Sequence, residues 1–271
     1  MIDSAISLFL SLLNGINAIT VVVLDLPIVN KAIVYCQGVA FSIVVVKFGY
    51  EVWYNHILRQ DGDPDADLRG VLIDFAKAIG MIGAVPWITK QVYVLGTAFA
   101  SDIANLDGAG NPLSQTSSFV TLLTNIMVSA TTGLLIIAVA VLAALIIFLI
   151  VLIQAFIRAG ELAMVAVAGT LMALGLTNSS SQMFQTWWRE LLSLSLAQAT
   201  QILLLKIAFV TLTIGTPNPM LNLMFFTGFM WVTYKSPSIL KQFIYSSGVG
   251  SAVGGAARSI GSMALMRRMM R

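Results

Sequence analysis

From Leu134 to Ile153 the chain places twenty consecutive residues without one polar side chain. A bilayer core about 30 Å thick needs about 20 apolar residues at about 1.5 Å of helical rise each, so this stretch is expected to span a membrane. The uncharged run around it extends from Gly108 to Ile157 and stops at Arg158, Gly160 and Glu161, before a second apolar run over Leu162 to Leu176. Charges so placed predict either a membrane boundary or a paired polar site. The second run is short for a span, which predicts a re-entrant segment or a span buried among other helices.

The rest of the pattern is also helical. Over Ser4 to Leu24, Ser4, Ser7, Ser11 and Asn14 share one face opposite Leu, Ile, Phe and Val, so residues 1–30 read as an amphipathic helix lying in the interface or lining a wet surface. Neither early basic residues nor a small-residue cleavage site mark a secretory leader. Ile33 to Tyr54 forms a clearer span, with Trp53 and Tyr54 as expected headgroup anchors and Lys47 and Glu51 as an expected pair on one face. In Val71 to Ala104, Pro86 predicts a kink or an end, and Ala76, Gly80 and Ala84 at intervals of four predict a smooth packing face. Asp107 to Ser118 has turn chemistry and reads as a loop, and a polar helix over Phe119 to Thr131 leads into the central span.

Trp187 and Trp188 beside Arg189 and Glu190 read as a headgroup anchor opening a span over Leu191 to Ile214. Within it Ser195, Gln198 and Gln201 fall inside an arc of about 120° at 100° per residue. Such a face in lipid turns to helical partners or to water, and both readings stay open here. The turn at Thr216 to Pro219 leads to a last span, Met220 to Tyr234, with Trp231 and Tyr234 as anchors. Ser236-Pro237 is expected to break the helix, leaving residues 31–235 as the transmembrane domain and 236–271 as a basic, glycine-rich tail. The fold class is all-α, a polytopic membrane bundle of five to seven transmembrane or re-entrant helices.

Composition strengthens this picture and removes others. Among 271 residues 58% are hydrophobic and 10% charged, with a mean hydropathy of +0.90, far from the roughly 25% charged residues of soluble domains. The lone Cys36 excludes an intrachain disulfide framework and reads as a packing residue. Acidic residues end at Glu190, whereas Lys235, Lys241, Arg258, Arg267, Arg268 and Arg271 follow the last span, which predicts a cytoplasmic C-terminal tail. The alternating Asp61, Asp63, Asp65 and Asp67 lack the glycine and glutamate of a calcium loop, since Ala66 and Leu72 stand there. His56 has no companion ligand, the glycines after Gly248 match no phosphate-binding spacing, and no nucleophile has a base placed by motif. No catalytic, cofactor-binding or metal site is therefore expected.

Several of these features together resemble a known family. The long apolar helix ending at Arg158, the small-residue hairpin, the turn bearing Trp187 and Trp188, and Lys235-Ser-Pro-Ser-Ile-Leu-Lys-Gln-Phe243 followed by Ser246-Ser-Gly248-Val-Gly250 are similar to the TrbL-type subunits of conjugative type IV secretion systems. The likeness is to the compact forms of Gram-positive elements and covers roughly Gly133 to Gly261. It implies a homo-oligomeric channel or platform in the cytoplasmic membrane, working with other secretion subunits and their ATPases. Single-stranded DNA and its bound relaxase would be the cargo. On that reading the path is expected along Ser195, Gln198 and Gln201, with Lys206 near its other end and Arg189 at its mouth. A solute transporter, an ion channel or a membrane scaffold is the alternative, although no internal repeat and no acidic partner for Lys206 within its own helix support transport.

Overall fold

The computed structural model describes residues 22–60, 67–105, 133–178, 181–211 and 219–246. The expected N-terminal amphipathic helix, the aspartate loop before Asp67, the loop at 107–118, the helix at 119–131 and the tail after Ser246 lie outside the described residues. Within them every element is helical: α1 (Pro27–Gln60), α2 (Leu68–Asn105), α3 (Gly133–Met172), a 3-10 turn (Ala173–Thr177), α4 (Met183–Thr211) and α5 (Pro219–Ser246). Among the described residues four segments are long and apolar enough to cross a membrane, namely Pro27–Gln60, Leu68–Ile103, Leu145–Thr177 and Met183–Ala208. Large apolar side chains such as Ile28, Tyr35, Val46 and Leu145 face outward. Surface of that extent suits lipid, because in water it would drive association.

Local chemistry sets the helix ends. Pro27 and Pro219 open α1 and α5, where a missing N–H costs nothing and the fixed φ already suits a helix. Asp67 caps α2, its Oδ1 accepting the Gly70 N–H at 2.9 Å. After the 3-10 turn, Ser181 Oγ accepts the Met183 N–H at 3.3 Å as α4 begins.

The helix interiors narrow one expectation and correct another. Pro86 and Pro237 neither end nor break their helices, and α2 and α5 run through them. Each proline frees the carbonyl four residues earlier, and each freed carbonyl finds another donor. Gln37 Nε2 of α1 donates to Ile82 O at 3.0 Å, and Ser236 Oγ donates to Thr233 O at 2.9 Å. Arg158, Gly160 and Glu161 lie within α3, whose 40 residues make a helix about 60 Å long, and Arg158 stands in a paired polar site, one of the two settings its charge predicts. The apolar run from Leu162 continues that helix, and Leu145–Thr177 is long and apolar enough to cross a membrane, in keeping with the second of the two forms expected for it.

In α2 the small-residue face, expected to pack against another helix, is not the one buried within the chain. Ala76 and Gly80 are exposed and Ala84 half-exposed, with open space where a Cβ on Gly80 would stand. The buried stripe is instead Phe75, Ala78, Ile82, Val85, Thr89 and Tyr93, at spacings of three and four. Larger side chains remove more apolar area and make more dispersion contacts, so they take the interior within the chain.

The chain divides into two compact units. Among the described residues one draws on Tyr93–Gly160 and Ser193–Lys241, the other on Val23–Val92, Glu161–Leu192 and the helix end from Gln242. The second unit is held by Phe48 edge-on to Phe75 at 5.1 Å, by the ion pair Lys90 to Asp25 at 2.7 Å, and by Lys47. Lys47 Nζ donates to Thr177 Oγ1 at 2.7 Å, so it ties α1 to the 3-10 turn and not to Glu51 as its spacing suggests.

Candidate functional site

Three helices of the first unit bring amide, phenol and guanidinium groups together in its interior. α3 supplies Gln154 and Arg158, one turn apart on one face; α4 supplies Gln198 and Gln201; α2 supplies Tyr93. Arg158 is 6% exposed and Gln198 and Gln201 5% each, so these polar groups have left the surrounding solvent or lipid almost completely. Burial of that kind is tolerated only with hydrogen-bond partners.

Partners are present across the helices for these groups except Gln198 Nε2, which is buried without one among the described residues. Arg158 Nη2 donates to Gln201 Oε1, and Gln201 Nε2 donates to Gln154 Oε1 at 2.9 Å. Gln154 Nε2 passes the chain on to the Tyr234 carbonyl of α5 at 3.3 Å. Nearby Tyr93 OH donates to Gln198 Oε1 at 3.3 Å. Each amide both donates and accepts in the first three links, which ties α3, α4 and α5 at one level. The amide oxygen of Gln201 accepts from the guanidinium as a fixed dipole, where a carboxylate would pair with it as an ion.

Ser195 occupies a different kind of place. A Cβ on Gly96 of α2 would collide with the Ser195 carbonyl oxygen and lie 3.0 Å from the Ser195 Cβ. Gly96 is therefore what allows α2 and α4 to approach backbone to backbone, and a small residue at 195 completes that crossing. Lys206, half-buried, donates to Ile103 O at 3.3 Å, which places a cation at the carbonyl end of α2 where the helix dipole favours it.

The predicted path residues thus separate into distinct settings. Ser195, Gln198 and Gln201 lie inside the helix packing of the first unit, and Lys206 closes a helix end there. Arg189 belongs to the second unit, where its Cζ sits 5.9 Å from the centroid of the Tyr245 ring, a cation–π contact. Gln154, Tyr93 and Gly96 are the positions that sequence reasoning misses. Gln154 is legible in principle, since it interrupts an apolar run four residues before Arg158 and such a pair on one face signals a shared polar partner.

The headgroup anchors divide too. Trp53 (62% exposed) and Tyr54 (46%) point outward, as does Trp231 (52%), which Tyr234 meets at 5.5 Å and Lys235 Nζ at 5.7 Å. Trp188 is half-buried. Trp187 is the correction: at 1% exposed it is an interior residue. Its Nε1 donates to Val165 O at 3.0 Å, its ring meets Phe184 at 5.2 Å, and it lies so close over Gly169 that no side chain fits there. An indole whose N–H finds a carbonyl gains more from burial than from the headgroup layer.

Among the described residues no group of three or more His, Cys, Asp or Glu side chains could hold a metal ion. His56 is exposed and its imidazole bonds Gln60 at 3.2 Å, and Cys36 is a half-buried free thiol. Among the described residues these helices assemble a hydrogen-bonded network of amides and a guanidinium, groups suited to holding helices in register.

Comparison with known proteins joins the helix order to a family. No curated protein and no solved structure matches the chain. The family model described as conjugal transfer protein TrbL matches residues 1–271, the whole of the sequence. With its membrane-length apolar helices, its unbroken α3 and its Ser-Pro helix before the basic tail, the chain belongs to the TrbL family of conjugal transfer proteins.

Proposed function

We propose that this chain is a channel or platform subunit in the cytoplasmic membrane, working as a homo-oligomer, past which single-stranded DNA with its bound relaxase leaves the donor cell. The observation that carries the reading is the family match over the full length, which makes the chain a component of conjugal transfer by type IV secretion. Membrane-length helices make it a membrane protein. The driving energy is assigned to partner ATPases, and the other secretion subunits are its neighbours.

Within this reading the buried network braces the subunit, and the conducting surface is one that assembled subunits create together. The burial of Gln198 and Gln201 and their bonds across helices support bracing over a wet path along that face. The deciding experiment is chemical cross-linking of DNA to protein during mating, followed by recovery of this chain. Transferred-strand DNA should come down with it, and an in-frame deletion should stop transfer while relaxase still nicks its origin. Transfer that persists after deletion sinks the proposal; lost transfer with no recovered DNA supports a platform over a channel.

The orientation is tested separately. Six basic and no acidic residues from Lys235 onward favour a cytoplasmic tail by the positive-inside rule. A reporter fused after Arg271 should be active only if it folds in the cytoplasm, and activity of an extracytoplasmic reporter at that point overturns the assignment.

A further inference from the structure

The second unit holds a groove of about 310 Å³ that the bracing network does not use. Its walls are mostly apolar, including Met164, Met172 and the buried Trp187, and two carboxylates stand at it, Glu161 exposed and Glu190 half-buried. Tyr245 completes it, its hydroxyl donating to Glu190 Oε2 at 3.0 Å. Arg189 stands over the Tyr245 ring, so two carboxylates face one cation, and an apolar trough with that excess of negative charge suits a segment that is apolar on one side and cationic on the other.

The chain carries such a segment, and it departs from the groove itself. α5 ends at Ser246, next to the groove residue Tyr245. Beyond it, residues 247–271 contain four arginines and no acidic residue. Plotted at 100° per residue, Met263, Leu265, Met266, Met269 and Met270 fall in one arc of about 160°, and Arg267, Arg268 and Arg271 in a separate arc of about 100°. The sequence between, residues 247–261, is rich in glycine, alanine and serine, and a coil of that composition and length reaches about 20 Å. Methionine suits an irregular trough because its unbranched thioether adapts to the gaps.

We propose that residues 262–271 dock in this groove of their own chain as an amphipathic strap, methionines against Met164, Met172 and Trp187, arginines toward Glu161 and Glu190. The strap covers an apolar trough that lies beside the helix end from which the tail departs. Arginine meets carboxylate with paired N–H donors, so the two carboxylates also set the strap's direction.

The test uses the full chain in native membranes with Cys36→Ser as background. Met164→Cys and Met266→Cys are introduced together and oxidised, with Val46→Cys and Met266→Cys as the control pair, since Val46 is exposed in the same unit. The first pair should form a disulfide within the monomer band, and the control should not. Arg267→Glu with Arg268→Glu should lower its yield about tenfold, a shift of about 1.4 kcal/mol. Adding Glu161→Arg and Glu190→Arg should restore it. If the double replacement on the groove side fails to fold, Glu161→Arg alone in the native-tail background should lower the yield. Absence of the disulfide, or a yield indifferent to charge, overturns the proposal. A disulfide found only in the dimer band assigns the groove to a second copy's tail and overturns it too. A fluorophore on Met266→Cys that responds to anionic lipid content and ignores Glu161→Arg places the tail on the membrane and is equally fatal to the strap.

Discussion

Trp187→Ala should cost about 3 to 5 kcal/mol of stability, the range for deleting a large buried aromatic side chain. The loss has two parts. The indole fills the space above Gly169, and its N–H satisfies the Val165 carbonyl at 3.0 Å, so truncation leaves both a cavity and a lost bond. For a chain of this size a Tm in detergent should fall by about 6 to 20 °C. Trp187→Phe keeps much of the volume and should lose less, chiefly the hydrogen bond. Gly169→Ala attacks the same contact from the other side, because the new methyl group would stand inside the ring; about 1 to 3 kcal/mol is expected from overpacking. A Tm unmoved by Trp187→Ala would mean that the side chain sits at the lipid headgroups after all.

The second large effect is expected at Gln201, and here the two substitutions should diverge. Gln201→Leu removes an acceptor from the buried Arg158 and a donor from Gln154, and the cost should be about 3 kcal/mol because a guanidinium in the interior loses a partner. Gln201→Glu keeps the acceptor and adds a charge opposite to that of Arg158 but, like leucine, loses the donor to Gln154 Oε1, so assembly should fall less than with leucine. A conducting face predicts the reverse order in DNA transfer, because a fixed carboxylate repels phosphate and leucine does not. Thermal unfolding, complex assembly and transfer measured on both variants separate the accounts. Glutamate failing below leucine at equal assembly would remove the bracing role and reinstate the path along Ser195, Gln198 and Gln201.

The comparison of Gln37 with Ser236 shows where sequence reasoning runs out. Both relieve a proline inside a helix, yet Ser236 adjoins Pro237 and returns its hydroxyl to Thr233, a contact of short sequence range that a reader of Ser-Pro can anticipate. Gln37 reaches Ile82 across 45 positions, from another helix. Local rules describe Pro86 as a kink or an end because they count only donors in the same helix; the packed chain supplies one from outside.

Membrane residence, the all-α class, the approximate places of the long helices and the likeness to TrbL were all determined by the sequence alone. Lipid makes these properties depend on runs of side chains about 20 residues long, and such runs need no knowledge of neighbours. Tertiary structure decided the rest: that α3 passes uninterrupted through Arg158 and Glu161, that Trp187 turns inward, that α2 buries Phe75 and Ile82 in place of Gly80, and that Gln154 joins Arg158 and Gln201. Periodicity states which residues share a face but not which face meets a neighbour. That choice belongs to the packing, where large side chains, close glycine crossings and paired polar groups compete for the same interior.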